Sequence, residues 1–526
     1  MDYFEGVFAL LGLWLIFKLW KMFVVVIWRP YALTKWFEKQ GLRGPSYKLM
    51  SGSLQEIKRL KELAKETIME PHSHCITPRV LPHYHKWSSE YGKMFFYWFE
   101  TEPRLCITDP ELVKEVLSNK FSFFAKPKLR PSLLAIIGKG LARVEGVEWV
   151  RHRRILTPAF NIDNIKVMTK RMAACTLSML DAWQQEVNKA PGEDTEMEMS
   201  KAMQELAADI IAHTAFGSSF IEGKEVFDVL YELERLAIIS GSDIYIPGSQ
   251  YLPTRWNIHM WMLKRKMRNS LAQIIKKRTR SKSASGYGND LLGMMMGISE
   301  DKPGLKKKLL MLNIEEIMEE CQTFFFSGHD STANFLTWTM FLLSLYQDWQ
   351  IKLRTEVLQA CHRDVPEADK LSNLKLLNMV LLEALRLYCP AIMMFRKASK
   401  DVKLGNLMIP KHTTVSIPIT MIHRDEEYWG EDANEFNPLR FADGAARAAR
   451  HPNGLIAFSV GPRNCIGQNF AMLEGKMVIA MILQRFSFSL SPTYKHAPAD
   501  KLSLKPEYGL PILLRPLNAQ HATILR

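Results

Sequence analysis

Apolar and polar residues fall into three patterns along this chain. The first is an almost unbroken apolar run from Gly6 to Trp28, GVFALLGLWLIFKLWKMFVVVIW. At about 1.5 Å of rise per residue, a helix of this length crosses a hydrocarbon core of roughly 30 Å. Lys18 and Lys21 interrupt the run on one helical face, where long side chains can snorkel to an interface. The second pattern is a 3.6-residue apolar period that fills most of Glu111 to Gln350, with Asn161–Asn188 and Met199–Phe216 as its clearest helices. Asn313 to Tyr346 is apolar on most faces and predicts a helix crossing the centre of the protein, started by an Asn313/Glu316 capping box. A further apolar helix is predicted over Phe470 to Leu483. The third pattern is short strand-like alternation at Met94–Glu100, at Arg104–Thr108 and across Val402–Ile419, where Gly405 and Pro410 mark turns. Nothing alternates as βαβ units, so the fold class expected is mainly α with small accessory β-sheets.

The start of the chain admits a signal peptide, an anchor or a core helix. A signal peptide has a basic start and a small-residue cleavage site. This one begins with Asp2 and Glu5 and ends its apolar run in Phe23, Ile27 and Trp28. An anchor over residues 1–28 is therefore expected. Arg29, Lys35, Lys39 and Arg43 follow it and direct everything downstream to the cytosol. Pro30, Gly41, Gly44 and Pro45 predict a turn-rich connector over 29–46, leaving 47–526 as the catalytic body. Ile238–Trp256 mixes aromatics with Gly and Pro, which suits a lid touching lipid, whereas the polar stretch Lys282–Asn289 reads as a surface connection.

Composition narrows the class. The 526 residues are 47% apolar and 24% charged, which excludes a disordered chain. A net charge of +14 favours an acidic partner or an anionic membrane surface. Nucleic-acid binding would need a recognised fold or interleaved aromatics, and neither is present. Seven cysteines in so long a chain are not a disulfide framework. No dinucleotide fingerprint, phosphate loop, His-Glu-x-x-His or Cys-x-x-Cys occurs, so any nicotinamide or flavin must come from outside.

One cysteine has an unusual setting: Phe458-Ser-Val-Gly461-Pro-Arg463-Asn-Cys465-Ile-Gly467. The other six are expected to be inert and buried. Gly461, Pro462 and Gly467 shape a tight loop before a helix, so backbone N–H groups and the helix N-terminus would favour a thiolate at Cys465. The glycines would also let a flat macrocycle approach, Phe458 would cover the sulfur, and Arg463 would meet a propionate.

Phe-x-x-Gly-x-Arg-x-Cys-x-Gly resembles the haem-binding loop of the cytochrome P-450 family at every specified position. Further motifs follow in order. Glu383-Ala-Leu-Arg386 resembles the family's Glu-x-x-Arg pair; its apolar neighbours suggest burial, which calls for a third partner. Phe436-Asn-Pro438-Leu-Arg440-Phe441 resembles the segment whose Arg completes that network, with Leu439 where the family has Glu. Trp149-Val-Arg-His-Arg153 resembles the motif whose Trp and Arg face the haem propionates, and Arg396 matches another propionate contact. The connector and the run Phe326 to Ala333 look most like the plant clan numbered seventy-two. The resemblance spans essentially the whole chain and implies haem b with Cys465 as axial metal ligand.

Mid-helix, Ser327-Gly328-His329-Asp330-Ser331-Thr332 resembles the family's oxygen-activation motif, which makes Asp330, Ser331 and Thr332 the catalytic candidates. Asp330 supplies the acid; Ser331 stands where Thr is usual and rotates more freely, so leakier catalysis is expected. Glycine inside a helix costs about 1 kcal/mol, and close approach of haem and O₂ is the reason expected for Gly328. The resemblance places Leu133, Leu134, Phe324, Ser327, Ile392, Met393 and Leu510 around a lipophilic substrate such as a fatty acid, terpenoid, steroid or isoprenoid hormone. It also implies a single-pass endoplasmic reticulum protein taking electrons from an NADPH-cytochrome P-450 reductase, with Arg151, Arg153, Arg154 and Lys476 as a basic docking face. A reductase-independent haem-thiolate isomerase or dehydratase, or a haem sensor, is the alternative; retention of Asp330 and Ser331 speaks against both.

Overall fold

In the computed structural model, the residues described are 2–119, 123–189, 194–217, 220–241, 245–246, 248–282, 286–288, 290–300 and 311–517. Parts of the two loops singled out above, at 242–244, 247, 283–285 and 289, lie outside them. The chain divides into two compact units: residues 1–66, 77–127 and 393–418 form the first, and 67–76, 128–392 and 419–526 the second.

The first unit begins with helix α1 (Asp2–Phe23), one wider π-type turn at Val24–Trp28 and helix α2 (Arg29–Lys39). Gly6–Lys39 is one helical run, long and apolar enough to cross a membrane. The connector predicted from residue 29 is thus helical as far as Lys39. Its signal was Pro30, which lacks an N–H and normally breaks a helix interior. The wide turn absorbs the ring, since the Arg29 N–H reaches back to the Val24 carbonyl. The carbonyl that Pro30 cannot serve, that of Val26, accepts a 2.9 Å hydrogen bond from Tyr47 Oη.

Strands β1 (Phe95–Phe99), β2 (Glu102–Cys106) and β3 (Phe124–Ala125) belong to this unit. With two later strands, β5 (Met393–Ala398) and β8 (Thr414–Pro418), they make a five-stranded sheet ordered β1-β2-β8-β5-β3, in which only the β2–β8 pair is parallel. Strands β6 (Val402–Leu404) and β7 (Leu407–Ile409) form a separate hairpin. The sheet rests on an aromatic core: Trp87, Phe95, Phe96, Tyr97 and Trp98 are buried, and Tyr84 Oη and Tyr97 Oη share a hydrogen bond.

The second unit is helical. Its principal helices are α3 (Gly146–Leu156), α4 (Ile162–Val187), α5 (Met199–Phe216), α6 (Phe220–Gly241), α7 (Arg255–Arg280), α8 (Ile314–Leu345), α9 (Gln347–Cys361), α10 (Lys375–Leu387) and α11 (Gln468–Arg485). Helix α8 starts from the predicted capping box, with Asn313 Oδ1 accepting the Glu316 N–H and Glu316 Oε2 accepting the Asn313 N–H, both at 2.9 Å. It is buried along most of its length, as a helix apolar on every face should be. Strands β4 (Thr195–Glu198), β9 (Phe486–Leu490) and β12 (Pro511–Pro516) form a small sheet, and β10 (Pro498–Lys501) with β11 (Ser503–Pro506) a hairpin.

Gly328 packs helix on helix. A Cβ there would stand 2.8 Å from Cδ1 and 2.9 Å from Cγ1 of Ile211 on α5. The close neighbour among the described residues is a side chain, so the reason expected for this glycine, approach of a cofactor, gives way to α5–α8 contact.

Candidate active site

The cysteine loop is built by turns. Gly461 has φ +79°, a left-handed conformation that glycine adopts freely. The Asn464 N–H reaches back to the Gly461 carbonyl at 3.1 Å, and the Cys465 N–H closes on the Phe458 carbonyl at 2.8 Å. The loop is anchored behind by His423, whose Nε2 accepts the Ile456 N–H at 3.0 Å, leaving Nδ1–H to donate to the Arg386 carbonyl. Cys465 is exposed at the mouth of the loop. Burial nevertheless raises its thiol pKa, and the Gly467 N–H and the Arg153 charge only partly oppose this. A cation at the sulfur would deprotonate a coordinating thiol outright. Cys75 is exposed as well, against the expectation of burial, while the remaining five cysteines are buried.

Gly467 bears on what this sulfur faces. Its φ is −90°, open to any residue. A Cβ at 467 would make only ordinary contacts, 3.9 Å to Phe160 Cε1 and 4.0 Å to Cys465 Sγ. Neither backbone nor packing requires glycine there, and the volume a side chain would fill is the space beside the sulfur. That cradle, with a soft sulfur donor at its centre, fits a flat metallo-macrocycle.

Helix α3 clamps the loop. Arg153 donates to the Asn464 carbonyl at 2.9 Å and to Asn464 Oδ1 at 3.0 Å. Arg463 donates to the Val144 carbonyl at 3.1 Å, pairs with Glu145 and lies 4.7 Å over the Trp149 ring. Two of the three arginines expected at propionates, Arg153 and Arg463, are thus tied to protein partners that hold the cysteine loop against α3 and the residues just before it. Arg151 pairs with Glu316, and buried His152 hydrogen-bonds to Glu320. Together these fix α3 to α8. The proposed basic docking face loses members as a result: Arg151 is paired, Arg153 is turned to the loop and Lys476 is buried, leaving Arg154 exposed.

On α8, Ser327 and Ser331 are exposed although His329, Asp330 and Thr332 between and beyond them are buried. Two exposed serines four residues apart share one helix face, so that face borders open space. Ser331 Oγ donates to the Ser327 carbonyl at 2.6 Å, and its lone pairs remain free to accept. Asp330 points the other way. Its Oδ1 lies 2.8 Å from Lys505 Nζ on β11, and Lys505 also pairs with Glu234 on α6. Asn334 Nδ2 donates to the Asp330 carbonyl at 2.7 Å and to Ser503 Oγ at 2.9 Å. His329 hydrogen-bonds through Nε2 to Tyr231 Oη at 2.9 Å, and burial lowers its pKa to about 4.

Beneath the loop, Glu383 and Arg386 are fully buried. Arg386 places all five N–H groups: two on the Glu383 carboxylate at 2.6 and 2.8 Å, the others on the carbonyls of His423, Ala433 and Glu435. Arg440 Nε reaches Glu383 Oε1 at 3.4 Å and the same guanidinium pairs with Asp432. A buried pair of this kind is tolerated because no charge is left unpartnered.

Among the pocket candidates, Leu133 and Leu134 sit on the short helix Pro131–Ile137, which is bound to α8 by Gln322 and Thr323 side chains donating to its carbonyls. Phe324 is buried and stacks on Phe160 at 5.5 Å. Ile392 is buried, and Leu510 has no exposed surface, so Leu510 is core rather than pocket wall. Met393 and Arg396 lie on β5 in the first unit, where Arg396 is buried and donates to the Phe395 carbonyl at 2.9 Å.

Residue patterns gave no warning of Lys505, Glu234, Asn464 or Glu145.

A family model described as Cytochrome P450 matches residues 78–514. Cytochrome P450 709B1 of Arabidopsis thaliana is 51% identical over 506 residues, covering 95% of this chain and 96% of the relative. Cytochrome P450 CYP72A616 of Paris polyphylla is 41% identical over 491 residues, 93% and 94% of the two chains. A protein named Cytokinin hydroxylase, from Arabidopsis thaliana, is 41% identical over 494 residues, again 93% and 94%.

Proposed function

Because the chain belongs to the cytochrome P450 family, and is a monooxygenase of that family, we propose that it hydroxylates a lipophilic small molecule while anchored by its first helix in the endoplasmic reticulum membrane, catalytic body in the cytosol. Electrons come from NADPH through a separate reductase. The observation that carries this is the Cys465 loop, an accessible sulfur beside a glycine whose missing side chain leaves room for a haem. Cys465 would hold the haem iron through its sulfur. Gly467, Phe458, Trp149, Arg153 and Arg463, all of the second unit, are the residues proposed to surround haem b. When bound, a thiolate-ligated haem supplies electron density that promotes O–O cleavage and so insertion of oxygen into unactivated C–H bonds.

What remains for the polypeptide is positioning and proton supply. Arg153 and Arg463 hold the loop, and with it the sulfur, against α3 and the residues that lead into it. Ser331 sits on the exposed face of α8 with free lone pairs, so it can accept a proton from a neighbour and pass its own forward. Asp330 is one residue away, buried and charge-paired with Lys505, and is the carboxyl group through which a proton would be relayed. Thr332 is buried on the packed side and contributes to the helix surface behind them. The apolar residues Leu133, Leu134, Phe324 and Ile392 select the substrate by shape. Fatty acids, terpenoids, steroids and isoprenoid hormones are the substrate classes to test, and cytokinins are added to the panel because one relative is named Cytokinin hydroxylase.

The test is reconstitution with haem, reductase and NADPH. The reduced, carbon-monoxide-treated protein should show the long-wavelength band of thiolate ligation, and a lipophilic panel should yield a Soret shift and an oxygenated product. Loss of neither band nor turnover in Cys465→Ala would refute the assignment.

A further inference from the structure

Three ionisable side chains meet deep in the second unit behind the exposed face of α8. Glu234 comes from α6, Lys505 from β11 and Asp330 from α8. All three side chains are at most 12% exposed. Lys505 Nζ lies 2.8 Å from Asp330 Oδ1 and is hydrogen-bonded to Glu234 on its other side. Two carboxylates thus share one ammonium. Fully ionised, the triad would carry a surplus negative charge away from water, which burial penalises strongly. One added proton removes it. Glu234 is the group that takes it up: burial first, then the Asp330 charge, raise its pKa, against the pull of Lys505 and Lys501. Burial alone would discharge Lys505, but Asp330 and Glu234 outweigh it and hold the ammonium. Among the described residues, Tyr231, His329 and the cation Lys501 are the other titratable groups acting on the cluster; Tyr231 and His329 are neutral at physiological pH, Tyr231 pushed up by burial and by the carboxylates, His329 down by burial.

We propose that Glu234 and Lys505 are positioning residues that feed protons to Asp330, forming a relay that enters at Glu234 and ends at Asp330. The inference rests on the monooxygenase reading above. At rest the added proton sits on Glu234 and Asp330 is ionised; when the relay runs, one N–H of Lys505 breaks as an O–H forms on Asp330, which then holds the proton to be passed on. In the same movement the Glu234 O–H breaks and restores the Lys505 N–H, so the lysine never stands neutral. Glu234 then takes a proton from water. Each bond broken is matched by one formed, and no electron moves. Asn334 on α8 donates to Asp330 and to Ser503 on β11, and so ties the strand carrying Lys505 to the helix carrying Asp330.

Two substitutions test it. Glu234→Gln keeps the shape and the acceptor but holds no exchangeable acid proton. Lys505→Arg keeps the charge and the pairing but does not release a proton at any working pH. Infrared difference spectra of the substrate-free protein should show the carbonyl stretch of a protonated carboxyl that disappears in Glu234→Gln. In the reconstituted enzyme both variants should lose about tenfold in product formed per NADPH and show an increased solvent deuterium effect. If Lys505→Arg restores full coupling, or the isotope effect stays at the wild-type value in Glu234→Gln, the triad is an ordinary buried ion cluster and the relay is refuted. Retention of the carboxyl band in Glu234→Gln refutes the shared proton directly. Failure of the parent reading is distinguishable, because wild type would then form no oxygenated product while the infrared arm still reports on Glu234.

Discussion

Adding one methyl group at position 328 tests how α8 is packed. In Gly328→Ala the new Cβ would sit 2.8 and 2.9 Å from two carbons of Ile211. Ordinary carbon contacts are about 3.5–4.0 Å, so the overlap is close to 1 Å. Overpacking of that size costs about 1–3 kcal/mol, while replacing glycine inside a helix returns about 1 kcal/mol. The net expectation is a loss of about 1 kcal/mol in the single variant. Truncating the neighbour reverses the sign. Ile211→Ala is itself destabilising by about 2–5 kcal/mol, but in that background the added methyl meets no clash and should stabilise by about 1 kcal/mol. The difference between the two backgrounds, about 2 kcal/mol, is the coupling between the sites. Urea unfolding of the four proteins, followed by tryptophan fluorescence with unchanged slopes, measures it. Equal effects of Gly328→Ala in both backgrounds would refute the packing argument. A haem spectrum altered by Gly328→Ala regardless of residue 211 would return the glycine to the cofactor.

Three further outcomes are expected. Arg153→Ala removes both hydrogen bonds to Asn464, and at about 1 kcal/mol or more for each charged bond should speed haem loss to a scavenging protein about tenfold, with Arg153→Lys intermediate. Acid should destabilise the fold in a defined window: His329 is held neutral with a pKa lowered to about 4 by burial, and His423 to about 3, so the unfolded state binds their protons first. Stability is then level above pH 6.5 and falls as pH drops below it; between pH 7 and 5 the fall in urea stability should be about 2 kcal/mol smaller in His329→Gln. Lys476→Met replaces an ammonium whose pKa burial lowers, and should hold or raise thermal stability while leaving the salt dependence of reduction by the reductase unchanged.

Legibility in the sequence followed the range of the forces involved. Helices with a sustained apolar period were readable almost to the residue: Asn161–Asn188 appears as Ile162–Val187 and Met199–Phe216 without change. The capping box was readable because both partners lie within one turn. Strands β5 and β12 were not, since each is defined by partners far along the chain, and Met393 read as pocket rather than sheet. The same holds at the site. Cys465 declares itself through its own loop, but the partners of Arg153 and Arg463 are decided by how α3 meets that loop. Lys505 gains meaning only once β11 is laid against α8. Pro30 misled for a different reason: one extra residue in a helical turn is invisible to any rule that counts prolines as stops.

That uninterrupted helix makes the amino-terminal segment a rigid spoke rather than a tether. Trp36 and Gln40 dock its far end on Met408, and Phe37 stacks on Phe96, so the spoke is keyed to the sheet in rotation as well as position. Each residue inserted above Lys39 would swing the apolar half by about 100° around its axis. Whatever surface grips residues 6–28 therefore also sets the heading of the sheet they are bolted to, and a single extra alanine re-aims it.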